Sequence, residues 1–353
     1  MYAIIIADDI GDKLWPVTCA EFPKAFLPVY SDNTMLEETL MRVMPFMESG
    51  NDVYISLPEK SVPALLNQAS LTAFSIPEKN LITIPDNKGS AWSILSLCQR
   101  ITKKNKDKLL MIAPVDQFFW PRESILVHIN NMLAGARACH NNLTMLCLPP
   151  GGPSPLLNYV SGEWQGVQTV GIPLEDALSG LLNTLMVDLQ EFVHKPDFEQ
   201  AQTMVTGNWL WDLSTYAAPV WNIEDQIRVC IPEDVIIPPR KNVLKIWDQL
   251  PYMSFEDTVV PSYIEEDRAK GAIIPKILWS TLDNWVSMQH LLFDAGLFNS
   301  GPTAGVHQVE AKNNLVFKPP GKEVALFGVS NLIIIDTGDK LLIGTPGGLY
   351  ENF

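Results

Sequence analysis

The sequence predicts an α/β fold, a doubly wound and mostly parallel sheet, followed by a small β-rich tail. Two observations carry that reading. Through the first half of the chain, short apolar β-branched runs alternate with stretches at helical spacing, and such alternation lays strands side by side with helices on both faces. Beyond about Gly296 the pattern changes to brief β-rich pieces separated by Gly, Asn and Pro, the mark of short strands joined by turns. The length of 353 residues also exceeds the roughly 250 to 300 residues that one core usually organises. We therefore expect domains at residues 1–295 and 296–353, with the boundary near 293–305.

Taken in order, the run Tyr2-Ala-Ile-Ile-Ile-Ala7 reads as a buried strand entering a polar loop around Gly11. A helix is predicted over 33–47, because Leu36, Thr39, Leu40, Val43 and Met44 fall on one stripe with Glu37, Glu38 and Arg42 opposite. The same criteria predict strands over 52–57, 81–84, 108–113 and 143–148, and helices over 62–71, 90–103 and 125–140. In the tail, 314–317, 323–327, 332–335 and 340–343 read as strands. So few stacked β-rungs bury little by themselves, so the tail is expected to lean on the first domain or on another subunit.

Charge and composition narrow the function. The net charge of -15 argues against nucleic acid or an anionic membrane surface as a partner. An anionic small molecule would need locally placed cations. No apolar run approaches 18 residues, and the run from Ala3 to Ala7 stops at Asp8 and Asp9 without a basic flank, so neither a membrane span nor a secretory signal is expected. Five scattered cysteines without C-x-x-C spacing fit a reducing cytoplasm better than a disulfide framework or a zinc site.

In sheets of this kind the ligand crevice lies beyond the carboxyl ends of the strands, where strand order reverses. That rule selects the loop after Ala7, the loop after Ile84, and the corner Ala113-Pro-Val-Asp116. No nucleophile elbow, H-E-x-x-H, Walker loop or G-x-G-x-x-G after the first strand offers a rival constellation.

Those loops carry a resemblance. Ile10-Gly-Asp-Lys-Leu-Trp-Pro-Val-Thr18, continuing to Glu21-Phe-Pro-Lys-Ala-Phe-Leu-Pro28, resembles the G-G-x-G-T-R-L-W-P-L-S and P-K-Q-F-L signature of bacterial mannose-1-phosphate guanylyltransferases, which are sugar-phosphate nucleotidyltransferases. Pro85-Asp-Asn-Lys-Gly-Ser-Ala91, Asp116 and Phe192-Val-His-Lys-Pro196 follow in the family's order. Gly207 to Tyr216, Trp279 to Trp285 and Gly328 to Thr337 resemble later segments. The resemblance covers nearly the whole chain. It implies a Rossmann-like nucleotide-diphospho-sugar transferase domain with a left-handed β-helix-like tail, and transfer of GMP from GTP to mannose-1-phosphate with Mg2+. By the matching positions it assigns Gly11, Lys13, Lys88 and Ser90 to the nucleotide, Lys13 and Lys24 to catalysis, His194 and Lys195 to the sugar phosphate, and Asp116 to the metal. Contact between subunits through the tail, as a homo-oligomer or with an intact paralogue, is implied in the same way.

The departures fall on residues that carry chemistry. Asp8 and Asp9 stand where the family has paired glycines, and Asp12-Lys13 replaces threonine-arginine. Like charges ~4 Å apart repel by about 1 kcal/mol in water and about 4 at an effective dielectric of 20, so triphosphate binding should suffer. Thr281 replaces the second metal aspartate, with Asp283 two positions on; His194 replaces a glutamate; Ser154, Leu156 and Val205 replace sugar contacts. Asp116 is then either a metal ligand or a strand-end residue bonded to nearby backbone, and Lys195 either binds phosphate or is solvated. Trp209, Trp211, Trp279 and Trp285 read as packing residues. The expectation is a weakly active or inactive homologue with a binding, regulatory or assembly role. The alternative is an active nucleotidyltransferase with altered substrates.

Overall fold

β1 (Tyr2–Ile6) forms where its apolar run predicts, and its alternation shows why the sheet is covered twice. Ala3 and Ile5 join one hydrophobic core while Ile4 joins the other. The first core packs the helices Met35–Val43 and Ser124–Ala138 against the sheet through Leu36, Leu40, Ile129 and Met132. The second packs Ser90–Arg100 and Val220–Val229 through Ile94, Leu95, Ile223 and Ile227. The computed structural model describes residues 1–68, 70–163, 185–238, 242–297 and 305–352.

The strands after β1 are β2 (Val53–Pro58), β3 (Leu81–Ile84), β4 (Leu109–Pro114), β5 (Gln117–Trp120), β6 (Leu143–Leu148), β7 (Tyr159–Gly162), β8 (Leu185–Val193), β9 (Trp209–Pro219), β10 (Ala269–Ile273) and β11 (Leu278–Thr281). Among the described residues the main sheet runs β3-β2-β1-β4-β9-β6-β10-β8-β7. β1, β2, β3 and β4 pair in parallel, as do β6 and β10. β8 and β9 run against them, β9 as an antiparallel strand between β4 and β6. This sheet is therefore mixed rather than uniformly parallel. Strand order grows outward from β1 to β3 and then jumps back across β1 to β4, so the loops leaving β1 and β4 diverge and open a crevice at their carboxyl ends.

A separate two-stranded ribbon pairs β5 with β11, matching Gln117 with Thr281. It brings the residue before β5 beside the residues after β11, and Leu282 donates its N–H to the Asp116 carbonyl at 2.8 Å.

The tail contains β12 (Val306–Val309), β13 (Leu315–Phe317), β14 (Val324–Phe327), β15 (Ile333–Asp336) and β16 (Leu341–Gly344). Val306 pairs with Val324, Lys312 with Ser330 and Leu315 with Ile333, all in parallel. Each partner lies 18 residues on, the separation that also joins the Asn313 and Asn331 side chains. Both asparagines have positive φ, as do Glu310 and Gly328, so the corners repeat with the strands. Leu315, Ile333 and Ile335 share the first core with Trp285, Met288 and Leu292, and Gln289 donates to the Asn313 carbonyl at 2.7 Å. The tail thus rests on the helix Trp285–Asp294. Residues 298–304, within the expected boundary, lie outside the described residues.

Candidate functional site

The crevice at the carboxyl ends of β1 and β4 holds a cavity of about 290 Å³. Its walls carry Asp8, Asp9, Asp116, Asp212, Glu256, Asp257 and Asp283 against two basic side chains, Lys24 and Lys195. Unequal numbers of fixed charges in a walled cleft focus the field of the majority, and here the majority is negative.

Lys24 is the hub. It opens the short helical turn Lys24–Phe26, and its backbone N–H donates to the Ile10 carbonyl at 2.9 Å. Gly11, at φ 85°, lets its stem pass: a Cβ there would lie 2.8 Å from the Lys24 Cβ. The side chain is 2% exposed, and its Nζ lies 2.6 Å from Asp9 Oδ2, 2.6 Å from Asp116 Oδ2 and 3.1 Å from Asp283 Oδ1. Asp9 comes from the loop after β1, Asp116 from the corner after β4 and Asp283 from the segment after β11. Oxygens of these three carboxylates lie within 4.8 Å of one another. Burial pushes the Asp116 carboxyl up to about 6, against the pull of Lys24, and the neighbouring Asp283 charge adds to the rise. Asp283 goes the other way: burial opposes its charge, but Lys24 and hydrogen bonds from Thr281 and Asp116 hold it below the usual carboxylate range.

The twin acids of the first loop have separate surroundings. Asp8 is buried and accepts hydrogen bonds from Ser56 Oγ and, at 3.0 Å, Ser93 Oγ. Burial raises its pKa to about 6. Asp9 is 58% exposed, salt-bridged to Lys24, and accepts the Gly11 N–H at 3.0 Å. Its charge is answered by Lys24.

Across the cleft, Asp212 accepts the Tyr216 hydroxyl at 2.6 Å and the Ser214 N–H at 2.8 Å. Burial lifts it to about 7. Glu256 accepts from Ser254 Oγ at 2.8 Å and from Ser90 Oγ at 3.3 Å, and burial raises its pKa as well. Neither acid stands out in the sequence. The one signal there is Ser254-Phe-Glu-Asp257, a polar cluster at a helix start in which Ser254 Oγ accepts the Asp257 N–H at 3.3 Å.

Of the residues expected at the site, the structure gathers Lys24, Ser90, Asp116 and Lys195 around the cavity, with Gly11 directly behind Lys24. Lys195, at φ 35°, donates its N–H to Asn158 Oδ1 at 3.3 Å. His194 faces Asp257, Nδ1 to Oδ1 at 2.8 Å. Two lysines go elsewhere. Lys88 donates Nζ to the carbonyls of Trp247, Asp248 and Leu250 at 2.9, 3.2 and 3.0 Å, a helix-end contact that ties down the segment 243–250. Lys13 is exposed and lines a neighbouring cavity with Trp285 and Leu342. The spacing in sequence leaves open whether Asp283 can reach Asp116; the β5–β11 ribbon brings it there. Trp279 and Trp285 are buried, Trp279 donating to Gln117 Oε1 and Trp285 to the Trp15 carbonyl, which makes them packing residues at the rim.

Residues 2–154 match the nucleotidyl transferase family. The chain is 25% identical to mannose-1-phosphate guanylyltransferase of Salmonella muenchen, an alignment covering 99% of this chain and 71% of that protein. It is 19% identical to the alginate biosynthesis protein AlgA of Pseudomonas putida, over 97% of this chain and 68% of the relative. Among solved structures it is similar to that of mannose-1-phosphate geranyltransferase from Thermus thermophilus, with a TM-score of 0.76 at 19% identity, covering 99% of this chain and 96% of the other. That likeness extends to the mixed α/β sheet and the β-rich C-terminal region. Among the described residues no helix is long and apolar enough to cross a membrane.

Proposed function

We propose, from the premise that residues 2–154 form a nucleotidyl transferase domain in a divergent relative of the mannose-1-phosphate guanylyltransferases, that the chain is a weakly active or inactive homologue. In this reading it keeps the fold for binding or regulation. The observation that carries the reading is the imbalance in the cleft: seven carboxyl groups face Lys24 and Lys195, and Lys24 already holds three of those acids. Among the described residues lining the cleft, Lys195 is the lysine without a carboxylate partner to meet a triphosphate that enters against that field.

The metal implied by the resemblance meets the same difficulty. Three carboxylate oxygens are suitable donors for Mg2+, which binds oxygen at about 2.0–2.1 Å. Here they converge on the Lys24 ammonium, so the residues do not fit Mg2+ while Lys24 stays in place.

A second reading, an active sugar-phosphate nucleotidyltransferase of altered specificity, is favoured by one observation: Asp283 joins Asp116 despite the loss at position 281. Pyrophosphate release from nucleoside triphosphates with Mg2+ and mannose-1-phosphate separates the two. We expect at most a trace of turnover; robust turnover abolished by Asp116→Ala would establish the second reading.

For the architecture we read residues 1–295 as a Rossmann-like domain and 296–353 as a β-helix-like tail. The 18-residue repeat of pairings and corners supports this. A regulatory homologue in the cytoplasm would act through contact with an intact paralogue or a second copy of itself, with nucleotide and sugar phosphate as the ligands to test.

A further inference from the structure

We propose that the Lys24 ammonium is a built-in cation that takes the place of a divalent metal: the chain as it stands closes the Asp9, Asp116 and Asp283 cluster around Lys24, and removing the ammonium creates a divalent-cation site. An ammonium has three N–H donors and no acceptor, and here three carboxylates from three separate loops lie at 2.6, 2.6 and 3.1 Å from Nζ. Two of those donors meet hydrogen-bond acceptors on Asp116 and Asp283, and the Asp9 carboxylate completes the cluster as an ion pair.

The stem is fixed as well as the head. The Lys24 backbone is bonded to Ile10, its Cβ is packed against Gly11, and the side chain is 2% exposed. Withdrawal of the ammonium would strand a buried charge and leave three acids facing one another. The inference also gives one account of two departures noted in the sequence. Asp9 occupies a position where the resemblance expects glycine, and it places a carboxylate against the Lys24 ammonium. Asp283, two positions beyond the expected aspartate, supplies another.

The inference is independent of whether the chain turns over nucleotide, because its readout is metal binding to the free protein. The test is calorimetric titration of Mn2+ into the full chain without nucleotide, comparing the unmodified protein with Lys24→Met and Lys24→Gln. The unmodified chain is expected to show no saturable binding up to about 1 mM Mn2+. The variants should bind one ion, tighter by roughly tenfold or more, since an opposing charge at contact distance is gone. That binding should vanish when Asp116→Asn is added. The proposal is overturned if the unmodified chain binds one Mn2+ below about 1 mM through Asp116, or if a folded Lys24→Gln protein binds no more tightly than the unmodified one. Should both substitutions prevent folding, the unmodified chain and its Asp116→Asn variant still decide the first half.

Discussion

At the scale of single residues, the cleft is a set of carboxyl groups kept short of countercharge. Asp212 illustrates the cost. Burial lifts its pKa to about 7 although it accepts two hydrogen bonds. A carboxyl raised in the folded state contributes stability that is fully present below its unfolded pKa near 3.8 and is lost as pH rises through about 7. Asp212→Asn, which keeps an acceptor for the Ser214 N–H, should therefore stabilise the chain at pH 8 by on the order of 2 to 4 kcal/mol. The gain should shrink toward pH 4. Urea unfolding at both pH values measures it, and a gain independent of pH would refute the assignment. Lys24 and Asp116 are legible in the sequence because each sits in a motif of fixed spacing. Asp212 and Glu256 are not: their importance comes from burial against strands distant in sequence, and no local pattern records that.

Elements place these residues, and glycines decide where elements can meet. Gly89 precedes the helix Ser90–Arg100 at φ 93°, and a Cβ there would lie 2.2 Å from the Met253 carbonyl oxygen. Gly89→Ala should cost about 2 kcal/mol or more through backbone strain and the clash. Gly152→Ala, at a glycine with open space around it, should stay within about 0.5 kcal/mol. Chemical denaturation of the two variants is the check; equal effects would contradict this account of the cleft wall. The runs predicted over 81–84 and 143–148 form strands at those bounds, because both are short, almost wholly apolar and covered on both faces of the sheet. β9 is hidden in the sequence. Its period is broken by Asp212 and by Ser214 at φ 52°, so it matches neither a half-buried nor a fully buried pattern. β5 and β11, Gln-Phe-Phe-Trp and Leu-Trp-Ser-Thr, show neither an apolar β-branched run nor a clean alternation, yet their pairing carries Asp283 to Asp116.

For the whole molecule, the tail and the α/β portion share one core through Leu315, Ile333, Ile335 and the helix Trp285–Asp294. Unfolding should accordingly be a single transition. Ile333→Ala, at a fully buried position, should lower stability by about 2 to 5 kcal/mol and shift that transition as a unit. A separate early transition of the tail, with the main one unmoved, would show instead that the tail folds independently. The β-rich character of the tail is legible from its Gly, Asn and Pro punctuation. Its 18-residue repeat is not, because the repeat lies in backbone pairing and corner conformation, with little identity between successive rungs.

An acid-lined crevice whose principal lysine is already held by three carboxylates makes a poor seat for a polyphosphate. Calorimetric titration of GTP with Mg2+ into the full chain tests it most directly. The account predicts no saturable heat up to about 1 mM nucleotide, whereas a one-site isotherm with a Kd of about 10 μM or below would contradict it.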